Sequence, residues 1–131
     1  MIGLWSPPNN NLAALAPSPF NGPVDVDFFA EAQNLIWMSD KRYGISQIDL
    51  PSKSIRSFKE SDGVPIYHGS HGAAAAKEFF IAGEKQPKQP LIAAFHPKNG
   101  WRTLPVEFEM TKIEGLFGFG DNLFCASREG F

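Results

Sequence analysis

Three apolar runs of one shape recur along the chain at a fixed interval, and any fold must treat them as equivalents. They are Asn34-Leu-Ile-Trp-Met-Ser-Asp40, Glu78-Phe-Phe-Ile-Ala-Gly-Glu84 and Asn122-Leu-Phe-Cys-Ala-Ser-Arg128, whose first residues stand 44 positions apart in both steps. Each is apolar at four successive positions, then small, then charged or polar. A run without in–out alternation is the pattern of a strand covered on both faces.

The same punctuation surrounds each run. Val24-Asp-Val-Asp-Phe-Phe29, His68-Gly-Ser-His-Gly-Ala73 and Lys112-Ile-Glu-Gly-Leu-Phe117 precede them. After the first run come Gly44-Ile-Ser-Gln-Ile-Asp-Leu50, a turn at Pro51-Ser-Lys53 and Ser54-Ile-Arg-Ser-Phe58. After the second come Ile92-Ala-Ala-Phe-His96, a turn at Pro97-Lys-Asn-Gly100 and Trp101-Arg-Thr-Leu104. Pro51 and Pro97 are 46 positions apart, which assigns about two extra residues to the second unit, in Gly83-Glu-Lys-Gln-Pro-Lys88. The 12 Gly, 11 Pro and 12 Phe are spread along the chain, and no segment holds a helical apolar stripe for four turns. An all-β protein of short strands follows, with four strands in roughly 44 residues, the size of a β-propeller blade.

The third unit reaches Phe131 with only its first two strands written. Placed after Phe131, Ile2-Gly-Leu-Trp5 aligns with Ile45-Ser-Gln-Ile48, Pro8-Asn-Asn-Asn-Leu12 with Pro51-Ser-Lys-Ser-Ile55, and Leu15 with Phe58. The expected architecture is therefore three four-stranded blades per chain. The first covers about residues 24–60 and the second about 66–106. A split blade joins about 111–131 of one chain to about 1–16 of a partner. Two copies would make six blades and leave no free sheet edge. A fragment of a longer single-chain propeller, or one piece of a hetero-assembly, is the alternative.

On Asn34-Leu-Ile-Trp-Met-Ser-Asp40, Gly44-Ile-Ser-Gln-Ile-Asp-Leu50 and Pro51-Ser-Lys-Ser-Ile-Arg-Ser-Phe58, the chain resembles the β-propeller repeat families, in particular the two-component-regulator-type and NHL-like blades. The resemblance implies a ring-shaped fold and no particular ligand. The second unit departs from it, because Gly69, Gly72 and Ala73 to Ala76 make an unusually small first strand.

Charge and motifs narrow the function by exclusion. A formal net charge of −2 offers no basic excess for a phosphate backbone, so nucleic acid is not an expected partner. The single Cys125 excludes an intrachain disulfide and a multi-cysteine metal site, and reads as a small buried hydrophobe. The first twenty residues carry no Lys or Arg and no unbroken apolar core, which reads as neither signal peptide nor membrane span. A cytoplasmic or particle-associated location is the expectation. No cofactor motif occurs.

First strands would line the central channel of a propeller, which makes Asp25, Asp27, His68, His71, Lys112 and Glu114 the polar channel-lining candidates. By the 44-residue interval Asp27 and His71 are equivalent, with Gly115 third. Asp and His there could hold a divalent cation, but no ligand spacing marks a metal site. His68-Gly-Ser-His-Gly72 lacks the Gly-x-Ser-x-Gly pattern, so no catalytic residue is assigned. Trp5, Trp37 and Trp101 are sugar-stacking candidates. Their repeat equivalents are Ile48 for Trp5, Ile81 and Cys125 for Trp37, and Ile55 for Trp101, which favours core packing. The expected function is a non-catalytic assembly or binding module, including a subunit of a larger particle or virion, with itself or other protein subunits as partner. A carbohydrate-binding propeller and a channel-metal hydrolase are the alternatives.

Overall fold

The structure, a computed structural model, describes residues 3–6, 9–14, 26–40, 44–66, 68–85, 89–105 and 111–128. In chain order the strands are β1 (Gly3–Ser6), β2 (Asn9–Ala14), β3 (Val26–Ala32), β4 (Leu35–Asp40), β5 (Gly44–Asp49), β6 (Ser54–Phe58), β7 (His68–Ala75), β8 (Glu78–Glu84), β9 (Pro90–His96), β10 (Gly100–Thr103), β11 (Ile113–Phe119) and β12 (Asn122–Ser127). One 3-10 turn, Glu60–Asp62, follows β6. The protein is all-β. Among the described residues no helix is long and apolar enough to cross a membrane.

Strands β3 to β6 form one antiparallel four-stranded meander and β7 to β10 a second. β11–β12 and β1–β2 are antiparallel pairs in separate sheets. Local chemistry fixes the hairpins. Two-residue loops at Gln33-Asn34 and Ala76-Lys77 take positive φ at both positions, between 48° and 61°, the mirror-image turn that matches strand twist. Gly120-Asp121 joins β11 to β12 with the same loop length. Pro51 and Pro97 each occupy the second position of a turn, closed by Lys53 N–H to Leu50 O at 3.2 Å and Asn99 N–H to His96 O at 3.2 Å. Their fixed φ is preset for that position.

The hairpins refine the repeat. Asn34 and Lys77, the second residues of their turns, are 43 positions apart, while Lys77 and Asp121 are 44 apart. Structurally, Leu35 rather than Asn34 corresponds to Glu78 and Asn122, and Trp37 corresponds to Phe80 and Phe124.

Two apolar layers hold the sheets together. Between the meanders, Ala32, Trp37, Ile45 and Phe58 of the first meet Phe79, Ile81, Ala93 and Phe95 of the second. Trp37 is wholly buried (0% exposed) and stacks on Phe79, with centroids 4.2 Å apart and planes 5° from parallel. Phe58 stacks on it at 5.6 Å, and Trp101 meets it edge-on at 6.0 Å. The second layer packs Ala75, Phe80, Ala82, Ile92 and Ala94 against Ile113, Leu116, Leu123 and Cys125 of the β11–β12 pair.

Strand β7 lies against β3 on one side and β11 on the other, which accounts for its small residues. A Cβ on Gly72 would sit 2.3 Å from the Phe28 ring, and one on Gly69 3.1 Å from Ser39 Oγ of the first meander and 2.5 Å from Ile81 Cδ1 of its own sheet. On the other side, a Cβ on Gly118 would come 1.6 Å from the Ala74 carbonyl oxygen. Hydrogen bonds cross the same seams. Ser39 Oγ donates to Gly69 O at 3.3 Å, Gln33 Nε2 to Lys77 O at 3.3 Å, and Ala76 N–H to Gly120 O at 2.9 Å.

Two stability outcomes follow. Trp37→Ala is expected to cost roughly 3–5 kcal/mol in denaturant unfolding, since it empties the centre of the aromatic layer. Trp37→Phe is expected to cost much less, because it keeps a ring on Phe79 and removes an indole Nε1–H that is buried without a hydrogen-bond partner. Equal losses would show that ring stacking is not what Trp37 supplies. Lys77→Gly relieves the strain of a left-handed lysine, offset in part by a freer unfolded chain. A gain of about 0.5 kcal/mol is expected, and a loss would contradict the turn geometry.

Candidate functional site

The first strands share a defect that the sequence interval did not reveal. Register shifts fall between Val26 and Phe28 in β3, Gly69 and His71 in β7, and Ile113 and Gly115 in β11. Each passes over one residue: Asp27, Ser70 and Glu114. A bulge re-aims a side chain and increases local twist, so these three positions form the true equivalent set. The pairing of Asp27 with His71 and Gly115 is thereby corrected by one residue, because the first repeat step is 43 rather than 44 at these strands.

Asp27 is half-buried in its bulge. His71 is half-buried with Nδ1 2.9 Å from Ser70 Oγ, and that hydroxyl in turn donates to Ala82 O at 3.3 Å. A serine has one hydroxyl proton for these two contacts, and the donor between Oγ and Nδ1 is set by the imidazole tautomer. Lys112 and Glu114 are exposed and lie 3.6 Å apart, with Arg128 Nε 3.9 Å from the same carboxylate. Pairs in this setting contribute about 1 kcal/mol or less. Asp25 lies outside the described residues. So do the side chains of His68 and Trp5, whose backbones belong to β7 and β1. Among the described residues no group of three or more His, Cys, Asp or Glu gathers as a cation would require.

Trp37 is wholly buried and stacked on Phe79 and Phe58, and Trp101 is half-buried in the same aromatic layer. Cys125 is half-buried beneath the β11–β12 pair, and burial pushes its thiol above the usual range, which disfavours the reactive thiolate.

Four large apolar side chains are exposed among the described residues. Phe117, Phe119 and Phe124 are 63%, 70% and 46% exposed on one face of β11–β12, with Phe117 directly opposite Phe124. Phe29 of β3 is 54% exposed. The expectation that the third run is covered on both faces is not met within one chain: Leu123 and Cys125 face the second meander while Phe124 faces out. Sequence reasoning missed this face. Its signal was present, since Phe117 and Phe119 replace Ala30 and Ala32 of β3 and Ala73 and Ala75 of β7 at matching hairpin positions.

The chain matches no protein-family model, no curated protein and no solved structure. Its own geometry therefore carries the functional argument.

One electrostatic feature gives a pH test. Arg102 donates two hydrogen bonds to Glu78 across β9, one of them at 3.0 Å from Nη2 to Oε2. These bonds hold the Glu78 carboxyl below its usual 4.5, with burial opposing and the Arg102 charge adding. A lowered folded pKa means the stabilisation is present above about pH 4.5 and is lost as pH falls through the folded value. Glu78→Gln is expected to lower stability by up to about 1 kcal/mol at pH 7. The gap to wild type in urea midpoint should close on acidification toward pH 3. A gap independent of pH would mean the carboxylate charge plays no part.

Proposed function

We propose that the chain is a non-catalytic assembly module, two copies of which close a six-bladed β-propeller. In this reading β11–β12 of one copy and β1–β2 of the other form one four-stranded blade at each of two junctions. The ring then presents its loops to other protein subunits. The observation that carries it is the repetition of one docking step. The first meander packs on the second, and the second packs in the same sense on β11–β12, with β3, β7 and β11 side by side. A step that recurs without change of sense generates a ring where its rotation closes, and two-fold pairing is the commonest closed symmetry.

The spacing of β1 and β2 supports the shared blade. Gly3 pairs with Ala14 and Trp5 with Leu12, as Ser46 pairs with Ser57 and Ile48 with Ile55 in β5–β6, so one offset of 43 relates all four positions. β1–β2 thus has the register of the last two strands of a meander, while β11–β12 has that of the first two.

Light scattering on the purified chain is expected to give twice 14.4 kDa at micromolar concentration. Deleting residues 1–15 removes β1 and β2, leaves both meanders encoded, and is expected to give monomer or aggregate through a bared β12 edge. A compact, well-behaved monomer of the whole chain would overturn the reading.

A further inference from the structure

We infer that the phenylalanine face of β11–β12 is the seat for the β3–β4 hairpin of a second copy, with Phe29 of that copy lying over Gly115. This rests on the two-copy reading and specifies the surface that makes it.

The molecule shows twice what this face does. In β3–β4 the side bearing Phe28, Ala30, Ala32 and Trp37 packs against the second meander. In β7–β8 the matching side, with Ala75, Phe80 and Ala82, packs against β11–β12. By hairpin register the same side of β11–β12 bears Gly115, Phe117, Phe119 and Phe124, and it is the side left open. What covers it should be the opposite side of a β3–β4 hairpin, because β7–β8 and β11–β12 each meet the preceding unit through that side, with Phe79 and Ile81 in one and Leu123 and Cys125 in the other.

That opposite side is open where such a hairpin would rest. Its outer part, Met38, Ser46 and Ile48, is buried, whereas Phe29 and Glu31 of β3 are exposed and Ile36 is half-buried. Both open patches therefore lie on the first two strands of a unit. Their sizes complement each other. At the first junction the large ring of Phe28 meets the bare Cα of Gly72. At the open junction the positions reverse, with Gly115 in the place of Phe28 and Phe29 in the place of Gly72. A Cβ on Gly115 would touch only Ala126 Cβ, at 3.8 Å, so the space over it is free. Phenylalanines replace the alanines of the internal junctions, so this junction is wider and buries more aromatic surface. Separate chains need that surplus, because association costs translational and rotational freedom that one chain does not lose again.

The test uses the full chain. Phe117→Asp alters a side chain that supports no core residue, so the folded monomer is retained, shown by an unchanged far-ultraviolet spectrum and the emission of buried tryptophan. The dimer dissociation constant is expected to rise at least about thirtyfold, as for a central interface residue. Phe119→Lys is the second variant if Phe117→Asp fails to fold. In a Cys125→Ser background, chains carrying Phe29→Cys and chains carrying Gly115→Cys are mixed and treated with a short bis-maleimide. A cross-linked species at twice 14.4 kDa is expected only in the mixture. A wild-type dimer that keeps its affinity in Phe117→Asp and gives no mixed cross-link overturns this inference and closure of the ring, and leaves only the pairing of copies through the shared β11–β12 and β1–β2 blade. A wild-type monomer overturns both and assigns the face to a different occupant.

Discussion

Everything in this structure depends on how closely three edge strands can approach. β7 has a neighbouring sheet on each side, and at Gly118 the approach is backbone to backbone, with the Ala74 carbonyl occupying the space of a side chain. At Gly118 only glycine permits that spacing. Once it is set, the turns at Gln33-Asn34, Ala76-Lys77 and Gly120-Asp121 fall side by side, and hydrogen bonds from Gln33 and Ala76 lace each to the next. Larger residues at Gly72 or Gly118 would push the sheets apart and strain these bonds.

Away from those edges the filling changes from methyl groups to rings. Trp37, Phe58, Phe79, Phe95 and Trp101 occupy the space between β4–β6 of one meander and β8–β10 of the other. The second layer holds one ring, Phe80, among alanine, leucine and isoleucine side chains, so the two layers are filled differently. The aromatic layer also explains a polar cost, since two indole N–H groups lie buried without acceptors. A flat, dense stack of rings can outweigh that loss, given about 0.5–1.5 kcal/mol for each favourable pair beyond the area it buries.

The strand order was legible because its signals are local. Pro51 and Pro97 mark turns, four apolar positions mark each covered strand, and Trp37 at the centre of one marks a core residue. What escaped the sequence was cumulative or relational. A single interval of 44 hid a first step of 43, and this placed His71 where Ser70 belongs. The run at Asn122 read as covered on both faces because a sequence pattern reports what a strand can bury, not whether a neighbour is there. The small residues of β7 read as a departure from a repeat. They are the consequence of being the one first strand with a described sheet on both sides.

The polar candidates taught least, and for a physical reason. Catalytic and metal sites need several side chains brought to one point, whereas a repeat places equivalent side chains on successive strands at the same level. Asp27, Ser70 and Glu114 share a bulge but differ in chemistry: one half-buried carboxylate, one hydroxyl bonded to His71 and to backbone, and one exposed carboxylate between Lys112 and Arg128. The apolar surfaces follow the repeat more faithfully. Each unit carries a side that packs forward and a side that receives, and the substitutions of phenylalanine for alanine gather where the forward side is open. Selection for a soluble monomer would remove three exposed rings from one hairpin. The proposed second-copy interface would bury those three rings together.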